Sequence, residues 1–200
     1  MSRRLVLGVL ILLVAACSSR PPDDADYVKT LTAERAKKDA ALRASGDPIP
    51  FADHDKFLPL AYYPIDPAFA VPAAFNEDPP SARPQVEMQT STNDRRLMER
   101  IGTLAFTLQG RQLRLSAFRE VGDTTDRLFV PFTDLTTGKE TYKAGRYLDI
   151  PRSPTGLYVV DFNRAFNPFC AYSSNYDCPY PPKENRLPVA VTAGEKSSRR

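Results

Sequence analysis

The residues best suited to chemistry lie in the last third of the chain, where carboxylates, carboxamides and one guanidinium group recur beside turns marked by glycine and proline. The candidates for ligand binding are Arg146, Asp161, Asn163, Asn167, Tyr172, Glu184 and Asn185. Such groups around one pocket would offer hydrogen bonds to a carbohydrate or a peptide, or oxygen ligands to calcium. Asp and Asn also bond their own backbone in turns, so a structural role stays open.

Arg146 follows Gly145 at the start of a predicted strand, with Asp134 and Glu140 a short turn upstream. One interpretation is a buried ion pair that fixes the turn, and the other is an anchor for a ligand carboxylate or phosphate. A hydrolase or transferase would also need a base or nucleophile. The sequence offers Asp161, Glu184 and the thiol of Cys170 for that role, and it identifies no catalytic residue with certainty.

Two cysteines, Cys170 and Cys178, have seven residues between them in a segment rich in proline and tyrosine. In an oxidising compartment they are predicted to form a disulfide, and the alternative is a reactive or metal-bound thiol. Tyr172, Tyr176 and Tyr180 surround them. These rings form either a binding surface or a plug over one mouth of a barrel.

The sequence predicts no metal site and identifies no cofactor. His54 lies between Asp53 and Asp55, but the chain contains 1 histidine, so the usual histidine sets for transition metals cannot form. The spacing of the carboxylates after residue 146 also differs from that of an EF-hand loop. His54 is therefore interpreted as an exposed loop residue.

The first sixteen residues have the features of a signal peptide: Arg3 and Arg4, an apolar run from Leu5 to Val14, and small residues before Cys17. The ending Leu13-Val14-Ala15-Ala16-Cys17 resembles the lipobox of bacterial lipoproteins. That resemblance implies cleavage before Cys17 and acyl chains on it that hold the protein to a membrane. Ser18 implies the periplasmic face of the outer membrane if the organism has two membranes.

Charge gives no support for binding to nucleic acid. Removal of Arg3 and Arg4 with the signal lowers the formal net charge from +3 to +1, and the basic residues form no concentrated face. The expected partners are the membrane, through Cys17, and an unknown small molecule or envelope protein.

The mature chain is predicted to contain a tether over 17–23, a helix within 24–46, a β-rich domain over 47–196 and a tail over 197–200. Good helix formers fill Asp24 to Ala44, and Gly46 with Asp47-Pro48 ends them. Eight prolines between Ile49 and Gln85 argue against helices there. Short strands are predicted instead at Leu60–Tyr63 and Ala68–Phe75.

From Gln85 onward apolar and polar residues alternate, which predicts β-strands. Leu104, Phe106 and Leu108, then Leu113 and Leu115, form a hairpin with Gly110 in its turn. Further strands are predicted at Val86–Thr90, Leu128–Phe132, Arg146–Ile150, Leu157–Phe162 and Pro188–Thr192. The predicted fold class is mainly β: a curled antiparallel sheet, as a small barrel or sandwich, with an N-terminal amphipathic helix and a disulfide-pinned C-terminal loop.

The sequence lacks GxGxxG, a phosphate loop, a GxSxG elbow and HExxH, and so gives no sign of the chemistries that these motifs serve. Several C-terminal blocks resemble the bacterial domain-of-unknown-function family 1684. They include Phe129-Val130-Pro131-Phe132, Glu140-Thr141-Tyr142, Gly145-Arg146-Tyr147, Asp161-Phe162-Asn163, Asn167-Pro168, Cys170-Ala171-Tyr172, Cys178-Pro179, Glu184-Asn185 and Ala193-Gly194-Glu195. The resemblance implies a β-rich fold and names no reaction.

Two hypotheses follow for function. The first is a lipid-anchored envelope protein without catalytic activity that uses its C-terminal loop, rich in Tyr, Asn and Pro, to bind a ligand or partner. The second is a periplasmic hydrolase or transferase built on Asp161, Glu184, Arg146 and Cys170. Both expect the polar candidates to converge on one cavity.

Overall fold

The computed structural model describes residues 24–198, so the predicted signal peptide, the tether with Cys17, and residues 199–200 of the predicted tail lie outside the described residues. Two α-helices and seven β-strands make up the regular structure. They are α1 (Asp24–Ala44), α2 (His54–Phe57), β1 (Ala70–Glu77), β2 (Gln85–Gln89), β3 (Arg95–Leu108), β4 (Arg111–Glu120), β5 (Arg127–Phe132), β6 (Arg146–Pro151) and β7 (Leu157–Asp161).

The seven strands form one antiparallel sheet, in which six follow the order β6-β5-β4-β3-β1-β7 and β2 pairs with β3 beside this path. The sheet curls until it nearly closes into a barrel. The predicted mainly β fold with an N-terminal helix is therefore confirmed. The predicted β3–β4 hairpin is confirmed as well, with Leu104 paired to Leu115 and Phe106 to Leu113. Gly110 lies in its turn with φ of 73°.

The long strand β3 has two neighbours along the same edge. Its first half pairs with β2 and its second half with β1. Along its other edge, the register of its pairing with β4 shifts between Arg100 and Gly102. A Cβ at Gly102 would lie 2.5 Å from the carbonyl oxygen of Asn76 and 2.8 Å from the ring of Phe75. Glycine is needed at this position because the backbone of β1 approaches it so closely.

The barrel interior holds the main apolar core, and an extended C-terminal segment completes it. Leu187, Val189, Val191 and Ala193 alternate with more exposed residues and are buried against the strands. The predicted strand at Pro188–Thr192 is wrong in a specific way. The segment is extended, but it joins its neighbours through single bonds such as Leu135 N–H to the carbonyl of Val189, at 3.1 Å, and forms no ladder.

The segment between α1 and β1 also differs from expectation. Leu60–Tyr63 forms one isolated bridge, between Tyr62 and Glu195, and no strand. The short helix α2 starts at His54, in a stretch where helices were excluded. A helix of four residues is a single turn and fits between two prolines. The prolines therefore prevent only longer helices in this stretch.

Helix α1 packs on one end of the barrel mainly through polar side chains. Its one buried residue is Leu31. The polar contacts run from Tyr27 to Asp161, from Glu34 to Arg164, from Arg35 to the carbonyls of Tyr63 and Asn163, from Lys38 to Glu195, and from Asp39 to Leu60 N–H. Burial of apolar surface therefore contributes little to the docking of this helix.

Candidate functional site

The seven candidate ligand-binding residues lie in five separate places. Arg146 is in the barrel wall, Asn185 lies between two strands, and Asp161 and Asn163 lie in a turn beneath α1. Glu184 is exposed in a short helical turn, and Asn167 and Tyr172 together line a groove. The expected convergence of all these groups on one cavity is wrong.

The guanidinium of Arg146 is fully buried and bonded within the protein. Nη2 donates to Asp134 Oδ2 at 2.9 Å and to the carbonyl of Val191 at 2.9 Å. Nη1 donates to the carbonyls of Ala193 and Glu195. This arrangement matches the first interpretation, a buried ion pair, and it fastens the C-terminal segment to β6.

Asn185 takes the place of a peptide group in the sheet. Strands β4 and β5 share a single residue pair, Phe118 with Phe129. Where they diverge, Asn185 Oδ1 accepts from Ser116 N–H at 2.7 Å, and Nδ2 donates to the carbonyls of Ser116 and Pro131 at 2.8 and 2.7 Å. Its amide therefore satisfies backbone groups of both strands.

Asp161 and Asn163 organise the turn after β7. Asp161 Oδ1 accepts from the backbone N–H of Asn163 at 3.0 Å and from the hydroxyl of Tyr27 at 2.8 Å. The amide of Asn163 bonds both the N–H and the carbonyl of Asp66. These contacts are the local backbone bonds that Asp and Asn favour, and they also seat α1.

A buried carboxylate that the sequence did not single out, Glu195, joins the remaining two candidates. It is 1% exposed, and its Oε2 accepts from Tyr172 hydroxyl and Asn167 N–H, both at 2.8 Å. Its Oε1 accepts from Lys38 and, at 3.3 Å, from the hydroxyl of Tyr62. Four donors from three segments thus hold this charge in place.

The signal for Glu195 was present in the sequence as the block Ala193-Gly194-Glu195. Gly194 has φ of 77°, and a Cβ there would lie 2.6 Å from the carbonyl oxygen of Phe162. The close approach and the positive φ both require glycine, and they turn Glu195 inward. Its partners come from distant segments, which sequence spacing could not bring together.

The groove beside this cluster has a volume of about 910 Å³. Its walls are the loop between β5 and β6, the segment at Leu60–Tyr62, the disulfide loop and the end of the described chain. The lining side chains that matter for binding are Tyr62, Lys139, Glu140, Tyr142, Lys143, Asn167, Tyr172 and Lys196. We refer to this site as the tyrosine groove.

The tyrosine groove carries excess positive charge. Lys196 lies 3.9 Å from Glu140 and 4.8 Å from the centre of the Tyr63 ring. Lys139 and Lys143 are exposed and form no ion pair within residues 24–198. Two cations are therefore free to receive a negatively charged group.

One polar atom at the groove lacks a partner. Asn167 is 3% exposed, and its Nδ2 donates to the carbonyl of Lys196 at 2.9 Å, but its Oδ1 accepts no hydrogen bond. A buried unpaired acceptor costs about 1–3 kcal/mol. A ligand donor that reached this oxygen would remove that cost.

The tyrosines near Glu195 stay neutral, and two of them, Tyr62 and Tyr172, donate hydrogen bonds to it. Burial raises the pKa of Tyr172 above its ordinary value, and the negative charge of Glu195 raises it further. Burial and Glu195 raise the pKa of Tyr62 in the same way. Burial, with Glu140 nearby, raises the pKa of Tyr63 to about 12. The phenols therefore offer hydroxyl groups at neutral pH.

Cys170 and Cys178 form a disulfide, so the predicted bridge is confirmed. The loop that it closes is fixed to the β2–β3 hairpin. Ser91 N–H donates to the carbonyl of Cys178 at 3.0 Å, and Arg96 donates to the Asp177 carbonyl at 2.9 Å. With Cys170 oxidised and Asp161, Glu184 and Arg146 apart, the catalytic set of the second hypothesis is not assembled.

A second groove, of about 670 Å³, lies between the disulfide loop and the outer face of the sheet. Phe118, Phe129 and Tyr147 contribute to its floor, and charged side chains form its rim. None of the seven candidate residues lines it.

Within the described part of the chain, no three His, Cys, Asp or Glu side chains are grouped so that they could hold a metal ion. In the same residues, no helix has the length and apolar character needed to cross a membrane.

Comparisons place the chain among proteins without an assigned activity. No curated protein matches it. A solution structure of an uncharacterized protein from Haloarcula marismortui, determined by NMR, is 37% identical with a TM-score of 0.68, and the match covers 87% of this chain and 96% of that one. This neighbour comes from an archaeon, so the comparison gives no support to the bacterial origin that the sequence resemblance implied.

The model of a protein family described as "Protein of unknown function (DUF1684)" matches residues 55–196, which span the barrel, the disulfide loop and the C-terminal segment. The match ends at Lys196, so it includes most of the tyrosine groove. The chain therefore belongs to the DUF1684 family.

Proposed function

We propose that the protein is a binding protein of the bacterial envelope that holds an acidic saccharide in the tyrosine groove. The observation that carries this proposal is the combination at one site of tyrosine rings, unpaired lysines and an unpartnered buried acceptor. Acyl chains on Cys17 anchor the protein, at the periplasmic face of the outer membrane in a two-membrane organism. The lipobox-like run before Cys17 supports that part.

The size and lining of the groove favour a small ligand. Its volume of about 910 Å³ lies within the usual range for small-molecule sites. Tyrosine offers a flat apolar face with a polar end, which suits the C–H faces and hydroxyl groups of a sugar ring. Tyr62, Tyr142 and Tyr172 line the groove with three such rings, and their hydroxyls already donate to Glu195 and to the carbonyl of Cys170.

The charges favour an anionic ligand. Lys139 and Lys143 reach the groove from one loop, and Lys196 reaches it from the end of the described chain. A uronic acid carboxylate would pair with the two free lysines, while a neighbouring hydroxyl would donate to Asn167 Oδ1. A neutral sugar could also donate a hydroxyl to Asn167 Oδ1, but it would leave the two lysines without a negatively charged partner.

Calorimetry with defined oligosaccharides tests the proposal. We expect oligogalacturonate to bind and neutral oligosaccharides of the same length to bind much more weakly. Lys143→Gln should weaken the binding of the acidic oligomer about tenfold, because one charge-assisted contact is worth about 1.4 kcal/mol. Higher salt should weaken wild-type binding more than that of the variant.

Lys183→Gln is the matched control, since Lys183 is an exposed lysine in a turn away from the groove. It should leave the affinity unchanged. Equal binding of acidic and neutral oligomers, or equal effects of the two substitutions, would reject the anionic ligand. Absence of any saccharide binding would reject the proposed function itself.

A further inference from the structure

An apolar surface on the outside of the barrel has no covering element in the described part of the chain. Leu157 is 80% exposed and Val159 52% exposed, both on β7. The adjacent strand β1 places Ala74 opposite Leu157 and Pro72 opposite Val159, and both are exposed. We refer to these four residues as the β7 patch.

The β7 patch continues across the sheet into a positive charge. Ala74 pairs with Ala105 of β3, and Ala105 pairs with Arg114 of β4, so all three lie on the same outer face. Arg114 is exposed and forms no ion pair within residues 24–198. Because neighbouring strands lie about 4.8 Å apart, Arg114 stands roughly 14 Å from Leu157. The face therefore combines apolar side chains with a cationic border.

The length of chain before α1 limits how far this face can lie from a lipid anchor. Six residues separate Cys17 from Asp24, and an extended chain of that length spans at most about 25 Å. The first turn of α1 touches the end of β7 through the bond from Tyr27 to Asp161, at 2.8 Å. Along the strand, Leu157 is about 13 Å from Asp161. An acylated Cys17 thus holds the β7 side of the barrel close to the membrane.

We propose that the β7 patch docks on the surface of an anionic membrane, with Leu157 and Val159 in the interface and Arg114 at the lipid headgroups. This inference rests on the lipid anchor of the proposed function and is independent of the tyrosine groove. Apolar side chains gain by leaving water at the headgroup boundary, and a cation beside them is attracted by anionic lipid. Docking fixes the orientation of the barrel, which a flexible tether alone leaves free.

Spin labelling of the lipidated full chain tests the docking. With Cys17 acylated and Cys170 bonded to Cys178, Val159→Cys provides a single free thiol for a nitroxide. Val121→Cys is the matched control, because Val121 is 47% exposed and lies in the turn after β4. When vesicles containing phosphatidylglycerol are added, the nitroxide at position 159 should become more accessible to oxygen and less accessible to a polar nickel complex. The accessibility of the nitroxide at position 121 should not change.

Five further results decide the inference. Arg114→Glu should reverse the shift at position 159, as should vesicles of phosphatidylcholine alone. If the protein floats with the vesicles but the label at 159 remains as exposed to water as the label at 121, the docking is overturned and the lipid anchor is retained. If the protein does not float with the vesicles, both the docking and the lipid anchor are overturned. If labels at 159 show spin–spin broadening in the absence of lipid, the β7 patch is instead the contact surface for a second copy of the chain.

Discussion

At the scale of single residues, the polar side chains of the C-terminal third divide into those that build the fold and those that face the groove. Arg146, Asn163 and Asn185 are buried and bonded to backbone groups of distant segments. Each replaces bonds that a regular strand would have made. At the tyrosine groove, the groups with spare capacity are Asn167 Oδ1 and the unpaired lysines Lys139 and Lys143.

The role of Asn185 predicts a large loss of stability on substitution. Asn185→Leu keeps a similar volume but removes three hydrogen bonds and leaves Ser116 and Pro131 with unpaired buried groups. We expect the free energy of unfolding in urea to fall by about 3 kcal/mol or more. The neighbouring Glu184→Gln, at an exposed side chain, should change it by less than about 0.5 kcal/mol. Similar values for the two variants would contradict the peptide-like role.

The buried tyrosines predict instability in alkali. The folded protein raises the pKa of Tyr172 above the ordinary value of 10.0, chiefly through burial, so the unfolded chain loses this proton first. The free energy of unfolding is therefore unaffected by this group below pH 10 and decreases as the pH rises above 10. Each such tyrosine contributes a slope of about 1.4 kcal/mol per pH unit.

Tyr172→Phe removes one titrating proton, so the free energy of unfolding should decrease less steeply with pH, by about 1.4 kcal/mol per pH unit. Urea denaturation between pH 9 and 11 measures this slope. The slope is the relevant readout, because the substitution also removes the bond to Glu195 and lowers stability at every pH. Tyr180→Phe, at an exposed ring, is the control. An unchanged slope for Tyr172→Phe would show that its hydroxyl ionises equally in both states.

At the scale of elements, regular alternation identified most of the sheet. Leu104, Phe106 and Leu108 point to one side because successive residues of a strand face opposite sides, and the sequence shows this directly. The same alternation at Leu187, Val189 and Val191 predicted a strand that does not form. Burial alone produces this pattern, whereas a strand also needs a neighbouring backbone, and the sequence does not show which backbone is adjacent.

The candidate site was less accessible to sequence reasoning than the sheet. Asn167 and Tyr172 were among the candidates, but Lys139 and Lys143 were not. These lysines belong to a loop between β5 and β6 that ordinary surface composition explains. Their importance arises because the fold brings this loop to the same groove as the segment at Leu60–Tyr62, which lies about eighty positions earlier in the sequence.

Helix α1 is predicted to be the least stable element of the domain. It buries only Leu31, and partly exposed ion pairs such as Glu34 with Arg164 hold it. Salt screens such pairs. Amide hydrogen exchange should therefore be faster in α1 than in β3 and β4, and 1 M salt should accelerate it in α1 alone. Equally slow exchange in all three would mean that the helix unfolds only with the barrel.

At the scale of the whole molecule, the C-terminal segment completes the core. Leu187, Val189, Val191 and Ala193 fill the barrel interior, and Arg146 holds their backbone. No local part of the chain supplies these contacts, since the segment reaches strands that lie fifty to eighty residues earlier. The sequence indicated the apolar character of this segment, but its place inside the barrel could only come from the structure.

Truncation tests this dependence on the chain's last part. A chain that ends at Arg186 lacks four core side chains, and we expect it to lose cooperative unfolding and to bind a hydrophobic dye such as ANS. A chain that ends at Ser197 retains every one of these contacts and should unfold at the same urea concentration as the wild type. Cooperative unfolding of the shorter chain would show that the strands suffice alone.

The late position of the core-completing segment also determines when the protein can mature. During synthesis the strands emerge before the C-terminal segment, so the barrel interior is not yet filled. Arg146 and Asp134 then lack their hydrogen-bond partners, which are backbone groups of residues 191–195. The native state becomes reachable only after the ribosome has released these residues. Such a delay keeps the nascent chain unfolded, which is the state that the proposed export to the envelope would require.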